Sequence, residues 1–222
     1  MALKNVDMSN PTIAATIEKM ATNDKHSSVR SAALGMLAKT GEEKYISVAK
    51  TAIEKDQAYP VVAAGLNALL QLDEAAALAL AETMTSDKNL LGAVSDVYAA
   101  KPKAEYRQFF EDNWDEVDGY PAISYFQNYT KILMELREDT DVKSAIGNLE
   151  KISMDQSGTS PWKRFAATKS LNDLREFYRG GDETDLSRKA LMETNVIAIT
   201  DMIQRIKAAE TNNQLKAIYN QF

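Results

Sequence analysis

The segment Ser27 to Gly41 reads SSVRSAALGMLAKTG, and Tyr59 to Asp73 reads YPVVAAGLNALLQLD. Val29 matches Val61, Ala32 matches Ala64, Leu34 matches Leu66 and Leu37 matches Leu69, each pair thirty-two residues apart. That spacing falls in the range of two-helix repeats, whose units cannot bury an apolar face alone and must stack on their neighbours. The four positions recur mostly on one face of a helix, with small residues between them that let a neighbouring helix approach. A third copy is weaker: Leu90, Val94 and Val97 match Val62, Leu66 and Leu69 at a spacing of twenty-eight.

Helix signals punctuate the rest of the chain. Asn10-Pro11 offers an N-cap followed by proline at the first helical position. Ser27 or Ser28 opens a second helix that Gly41 closes, and Glu42 and Glu43 begin a third with Tyr45, Ile46, Ala49 and Ile53 inward. A fourth runs from Tyr59-Pro60 to Leu72, and Asp73 caps a fifth. Beyond Lys101 the repeat decays, and Tyr106, Phe109, Phe110, Trp114, Tyr125, Phe126 and Tyr129 replace the small residues. Thr140 is expected to cap the next helix, Ser160-Pro161 to start another that Gly180-Gly181 ends, and Thr184 to Ala209 to form one long helix. The run VIAI, Val196 to Ile199, is expected to be buried on more than one side of it. Thr211 and Gln214 form a capping box for a last short helix. The expected fold is all-α: a curved α-solenoid of HEAT- or armadillo-like hairpins with a less regular C-terminal half. It forms one domain over 1–222, regular over about 10–100 and irregular over about 101–222.

Composition narrows the function. With 26 basic and 32 acidic residues the net charge is −6, which argues against a general affinity for nucleic acid. The 222 residues contain no cysteine and one histidine, so zinc sites built on thiolates or on two histidines are excluded. That histidine, His26, lies between two helices and reads as a solvated loop residue rather than a catalytic base. The acidic stretch FFEDNWDEVDGY, Phe109 to Tyr120, lacks the ligand spacing of a calcium loop. Lys163-Arg164 and Arg188-Lys189 could form a basic patch beside Trp162, although solvated helix faces explain them as well. The aromatics after Lys103 are expected in the core, with a peptide groove as the alternative. No stretch approaches the roughly 20 apolar residues that span a bilayer. The first twenty residues carry no apolar run of the kind a signal peptide has.

The stretch DKHSSVRSAALGMLAKTGEEKYISVAKTAIEKDQAYPVVAAGLNALLQLD resembles HEAT-like units of the form "D.s..VR.aAl.aLa..gd". From about Asn5 to Phe222 the order of parts looks like the C-terminal helical region of bacterial zinc aminopeptidases of the aminopeptidase-N-like (gluzincin) class. That family's H-E-x-x-H zinc site and G-x-M-E-N strand are not found in the sequence. The resemblance therefore implies no catalytic, cofactor-binding or metal residue in this chain, with zinc expected only in a separate catalytic domain. It implies a non-catalytic helical domain that packs on that catalytic domain and limits access to its active-site cavity. The alternative is a free-standing HEAT-like adaptor that binds another protein. Neither reading involves nucleic acid or membrane. The adaptor would have a polar N-terminal cap and exposed aromatics between Tyr106 and Tyr129. The excised domain would expose Ile13, Ile17 and Met20.

The isolated chain is expected to hold no stoichiometric zinc and to release no N-terminal residue from a test peptide. Metal analysis and a peptide-release assay check this, and one tightly held zinc per chain would overturn it.

Overall fold

The computed structural model describes residues 6–181 and 183–222. Among them the secondary structure is helical throughout, without strands, and the chain divides into two compact units, one ending at Ala100 and the other beginning at Lys101.

The first unit is a stack of helical hairpins. Helix α1 (Pro11–Asn23) starts at Asn10, whose Oδ1 accepts from the backbone N–H groups of Thr12 at 3.0 Å and Ile13 at 3.4 Å. Such a bond satisfies donors that the first turn leaves unpaired. Helix α2 (Ser27–Ala38) ends in a turn at Gly41, whose φ of 68° is the left-handed conformation that glycine adopts without steric cost. A 3-10 turn at Glu43–Tyr45 leads into α3 (Ile46–Lys55). Helix α4 (Tyr59–Leu72) follows, then α5 (Glu74–Thr83), capped by Asp73 Oδ1 accepting from Ala76 N–H at 3.0 Å, and α6 (Leu91–Ala100).

Helix α4 is the centre of this unit and packs on α2, α3, α5 and α6. Leu34, Leu37, Leu66 and Leu69 are all buried, as are Leu90, Val94 and Val97. The alanine pair differs from its expected place: Ala32 is exposed and Ala64 half-buried. The small residues on the buried side are instead their chain neighbours, Ala33 and Gly65. A Cβ at Gly65 would lie 3.0 Å from Ile53 Cγ1 and 3.1 Å from the carbonyl oxygen of Ala49, tighter than ordinary contact, so the missing atom lets α3 and α4 lie close. Helix α1 buries Ala14, Ile17 and Ala21 and leaves Ile13 and Met20 half-covered. Its exposed positions are mainly polar, among them Thr12, Thr16, Glu18 and Lys19. The expectation that Ile13, Ile17 and Met20 together form an apolar edge therefore fails.

A shared turn marks the repeats of this unit. The aspartates at 24, 56 and 87 each accept, through Oδ1, the backbone N–H two residues on: His26 at 2.8 Å, Ala58 at 2.9 Å and Asn89 at 3.0 Å. They lie thirty-two and thirty-one residues apart. The turn of the third repeat is thus displaced by thirty-one residues, not the twenty-eight of the leucine–valine match. The two registers differ by three residues, close to one helical turn, so both turn the same face inward.

The second unit is less regular. A 3-10 turn at Ala104–Tyr106, helix α7 (Arg107–Asn113) and a second 3-10 turn at Trp114–Glu116 precede α8 (Pro121–Leu133). Helices α9 (Asp139–Met154), α10 (Pro161–Gly180), α11 (Leu186–Ala209) and α12 (Asn213–Tyr219) complete it. Helix α10 is central and packs on α8, α9 and α11. Ser170 donates through its hydroxyl to the carbonyl of Phe126 on α8 at 2.9 Å, which supplies a buried oxygen with its partner.

Three local expectations are corrected. Thr140 lies within the first turn of α9, which starts after Glu138 without a side-chain cap and carries Asp139 and Asp141 where the dipole favours acid. Asn212, not Thr211, caps α12, accepting from Gln214 N–H at 2.9 Å and Leu215 N–H at 3.2 Å. Thr211 instead donates to Gln156 Oε1 at 2.5 Å. The run Val196 to Ile199 buries only Ile199 fully, while Ile197 is 67% exposed.

Leu66 is wholly enclosed among α4's neighbours, so Leu66→Ala is expected to cost about 2–5 kcal/mol. Thermal or urea denaturation checks this, and an unchanged transition would overturn the repeat packing.

Candidate functional site

The candidate groups read from the sequence are mostly bonded into the fold. His26 occupies the N-cap position of α2 and is exposed; its backbone N–H is held by Asp24. The acids of the 109–120 stretch do not converge. Asp112 accepts from Gln108 Nε2 at 2.6 Å, Asp115 faces the ammonium of Lys163 at 3.5 Å, and Asp118 accepts from the Ser160 hydroxyl. That hydroxyl, with the Gly119 N–H, holds the Asp118 carboxyl below the usual carboxylate range. Among the described residues no group of three or more His, Cys, Asp or Glu side chains is placed to hold a metal ion.

The basic patch also dissolves. Lys163 and Arg164 are buried, and Arg188 forms an ion pair with Glu183 at 2.7 Å and donates to the Met134 carbonyl at 3.1 Å. Arg164 meets Glu210 with two hydrogen bonds, Nε to Oε2 at 3.3 Å and Nη2 to Oε1 at 3.1 Å, and donates Nη1 to the Thr159 carbonyl at 2.8 Å. Burial pushes the Glu210 carboxyl up. The N–H of Asn212, the Arg164 guanidinium and the N–H of Thr211 outweigh it and hold the group below its ordinary value. A pair this enclosed is costly to bury unless its polar atoms find partners, and each guanidinium nitrogen and both carboxylate oxygens here do. Its place, between α10 and the turn before α12, makes it a joint.

The aromatics divide in the same way. Tyr106, Phe109, Phe110, Tyr125, Phe126 and Tyr129 are buried. Phe110 lies between Tyr125 at 5.0 Å and Tyr129 at 5.5 Å, and the Tyr129 hydroxyl donates to Glu111 Oε1 at 2.5 Å. They form a core, so the alternative of a peptide groove floored by these rings is not what they make.

Outside that core lies a pair that the sequence reading kept apart. Tyr120 is 73% exposed and Trp162 49% exposed, and their rings meet edge to face with centroids 6.0 Å apart. Gly119, at a φ of 63°, turns the chain just before Tyr120. Each ring adjoins the proline that starts its helix, Pro121 of α8 and Pro161 of α10, and both prolines are exposed. Asp118–Ser160 and Asp115–Lys163 join the segment before α8 to the start of α10. The signal in the sequence was an aromatic beside each helix-starting proline, Tyr120-Pro121 and Pro161-Trp162. Those positions precede the inward periodicity of each helix, so core reasoning passes over them.

Comparison with protein-family models, with curated proteins and with solved structures finds no match to this chain. No described helix is long and apolar enough to cross a membrane.

One sequence expectation about charge resolves clearly. Arg30 should tolerate change unless it bonds to the neighbouring repeat, and it does bond. Its Nε reaches Asp56 Oδ2 at 2.6 Å, Nη2 reaches Asp56 Oδ1 at 2.9 Å, and Nη1 donates to the Asp24 carbonyl at 2.7 Å. Asn67, which the repeat alignment also expects to tolerate change, is half-buried with an Oδ1 that has no hydrogen-bond partner. The Arg30 guanidinium, with the Ala58 N–H, holds the Asp56 carboxyl below its usual range. A carboxylate depressed in the folded state contributes stability above its unfolded pKa of about 3.9 and loses it as pH falls through the folded value. Asp56→Asn should therefore melt below the parent at pH 7, with the gap narrowing as the pH drops below about 4. Melting curves across that range check this, and equal curves at pH 7 would show that the pair adds nothing.

Proposed function

We propose that the chain is a non-catalytic helical-repeat module that works by contact with another protein surface. The observation that supports this reading is the fate of the candidate groups: Asp112, Asp115, Asp118, Lys163, Arg164 and Arg188 are hydrogen-bonded or ion-paired within the fold, while an aromatic pair is exposed. A stacked-hairpin scaffold serves such a role because each hairpin is held by its neighbours and offers a firm surface.

On the resemblance of Asp24 to Asp73 to HEAT-like units, the contacted surface is the catalytic domain of a zinc aminopeptidase of the aminopeptidase-N-like class. Residues 1–222 would act as one domain there, limiting access to the active-site cavity, and the zinc would belong to the catalytic domain. The second reading is a free-standing adaptor, which the polar outer face of α1 favours. The buried aromatics between Tyr106 and Tyr129 count against an adaptor that uses those rings as its groove.

Mass spectrometry of the native protein separates the two. The aminopeptidase reading expects these residues within a larger polypeptide that carries H-E-x-x-H. A native polypeptide of 24.6 kDa would overturn it in favour of the adaptor.

A further inference from the structure

We infer that the face of α2 made by Val29, Ala32 and Met36 is a docking site for an amphipathic helix of the contacted protein, and that an arginine on this helix pairs with Asp24. The inference deepens the contact-module reading above and rests on it.

The repeat itself supplies the comparison. Helix α4 packs on the second helix of the repeat before it, α2, and on that of the repeat after it, α6. Helix α2 packs on α4, but among the described residues no earlier repeat adjoins it. Burial records the missing neighbour. Val61 and Ala68 on α4 are 0% and 2% exposed, and Ala64 is half-buried. Thirty-two residues earlier, Val29 and Met36 are only half-buried and Ala32 is exposed. These three positions follow at i, i+3 and i+7 and so share one face of the helix. Leu34 and Leu37 stay as buried as Leu66 and Leu69, so cover is lost on that face alone. A valine and a methionine do not make the polar outer face that closes a self-sufficient stack.

The turn beside this face selects the arginine. At the next joint, Asp56 accepts the Ala58 N–H of its own turn and also Nε and Nη2 of Arg30, which α2 brings to it. At the third turn, Asp87 accepts both the N–H and the Nδ2 of Asn89. Asp24 accepts the His26 N–H at 2.8 Å, and among the described residues no cation forms an ion pair with its carboxylate. Arg30 touches the Asp24 carbonyl but directs Nε and Nη2 to Asp56. A helix laid against α2 as α2 lies against α4 brings its own residue at the Arg30 position to Asp24. Arginine there has the planar fork that fits a carboxylate.

One helix is enough to cover the face. On α3, Val48 and Ala52 are buried, whereas their matches on α1 are Thr16, which is exposed, and Met20, which is half-covered. Thr16 also bonds its hydroxyl to the Thr12 carbonyl at 2.8 Å. The side of α1 that corresponds to the covered side of α3 is therefore partly polar and does not call for a second helix.

The probe is a labelled, hydrocarbon-stapled peptide with the sequence His26 to Thr40, the segment that covers α4 in the fold. The staple is needed because a free helix of this length is marginal in water. Fluorescence anisotropy with the full chain should show saturable binding. A peptide with glutamine in place of its arginine should bind about tenfold more weakly, the loss of one charge-assisted pair. In the chain, Asp24→Asn keeps an oxygen for the His26 N–H and should bring the two peptides to equal affinity. Ala32→Glu should abolish binding of both. Circular dichroism should show both variants melting like the parent, since Ala32 is exposed and the turn keeps its bond. Absence of binding, binding untouched by Ala32→Glu, or equal affinity of the two peptides for the parent chain would overturn the inference. So would a concentration-dependent dimer, seen by sedimentation and abolished by Ala32→Glu, since the occupant would then be a second copy of the chain. The native mass tests the aminopeptidase reading by a separate measurement, so either can fail without the other.

Discussion

The first unit depends on how closely the α4 backbone can approach α3. At Gly65 a single added carbon would fall 3.0 Å from Ile53 Cγ1 and 3.1 Å from the Ala49 carbonyl oxygen. Those distances are tighter than ordinary van der Waals contact, so a side chain there would require Ile53 and the Ala49 backbone to give by a few tenths of an ångström. With the helices in contact, Leu66 and Leu69 are covered on α4, as Leu34 and Leu37 are on α2. The Arg30–Asp56 pair then has a fixed geometry to close across the joint between hairpins. The same Asp56 carboxylate also holds the Ala58 N–H at the turn into α4, so one side chain sets both the turn and its attachment to the previous unit.

The second unit solves the same problem with different chemistry. Its helices vary in length, from seven residues in α12 to twenty-four in α11. Buried polar groups supply the definition instead. Arg164 and Glu210 meet between α10 and the turn before α12, and Ser170 binds a carbonyl of α8. Each such group is costly to bury unless its partner is in place, so these bonds disfavour alternative packings that would leave them unpaired.

The exposed rings follow from this arrangement. Pro121 and Pro161 each start a helix, where a missing N–H costs nothing. The residues beside them, Tyr120 and Trp162, sit before the inward stripe begins, and Asp118–Ser160 brings the two starts together. A surface of this kind is suited to contact with another surface.

Local signals determined the helices. The proline starts at 11, 60, 121 and 161, the aspartate before α5 and the glycine at 41 act within a turn or two of chain, so their effects can be read without neighbours. The inward leucines were legible for the same reason, because a helix face is a property of spacing. Where two caps compete, as Thr211 and Asn212 do, the choice passed to Glu210, which accepts both their backbone N–H groups and is itself held by Arg164, forty-six residues away. The pairing of Arg30 with Asp56, the burial of Lys163 and Arg164, and the meeting of Tyr120 with Trp162 were likewise decided only by the tertiary structure. Each depends on which helices lie side by side, and a charged or aromatic side chain carries no local mark of the partner it will meet. Spacing along the chain sets which way a side chain points; only packing sets what it finds there.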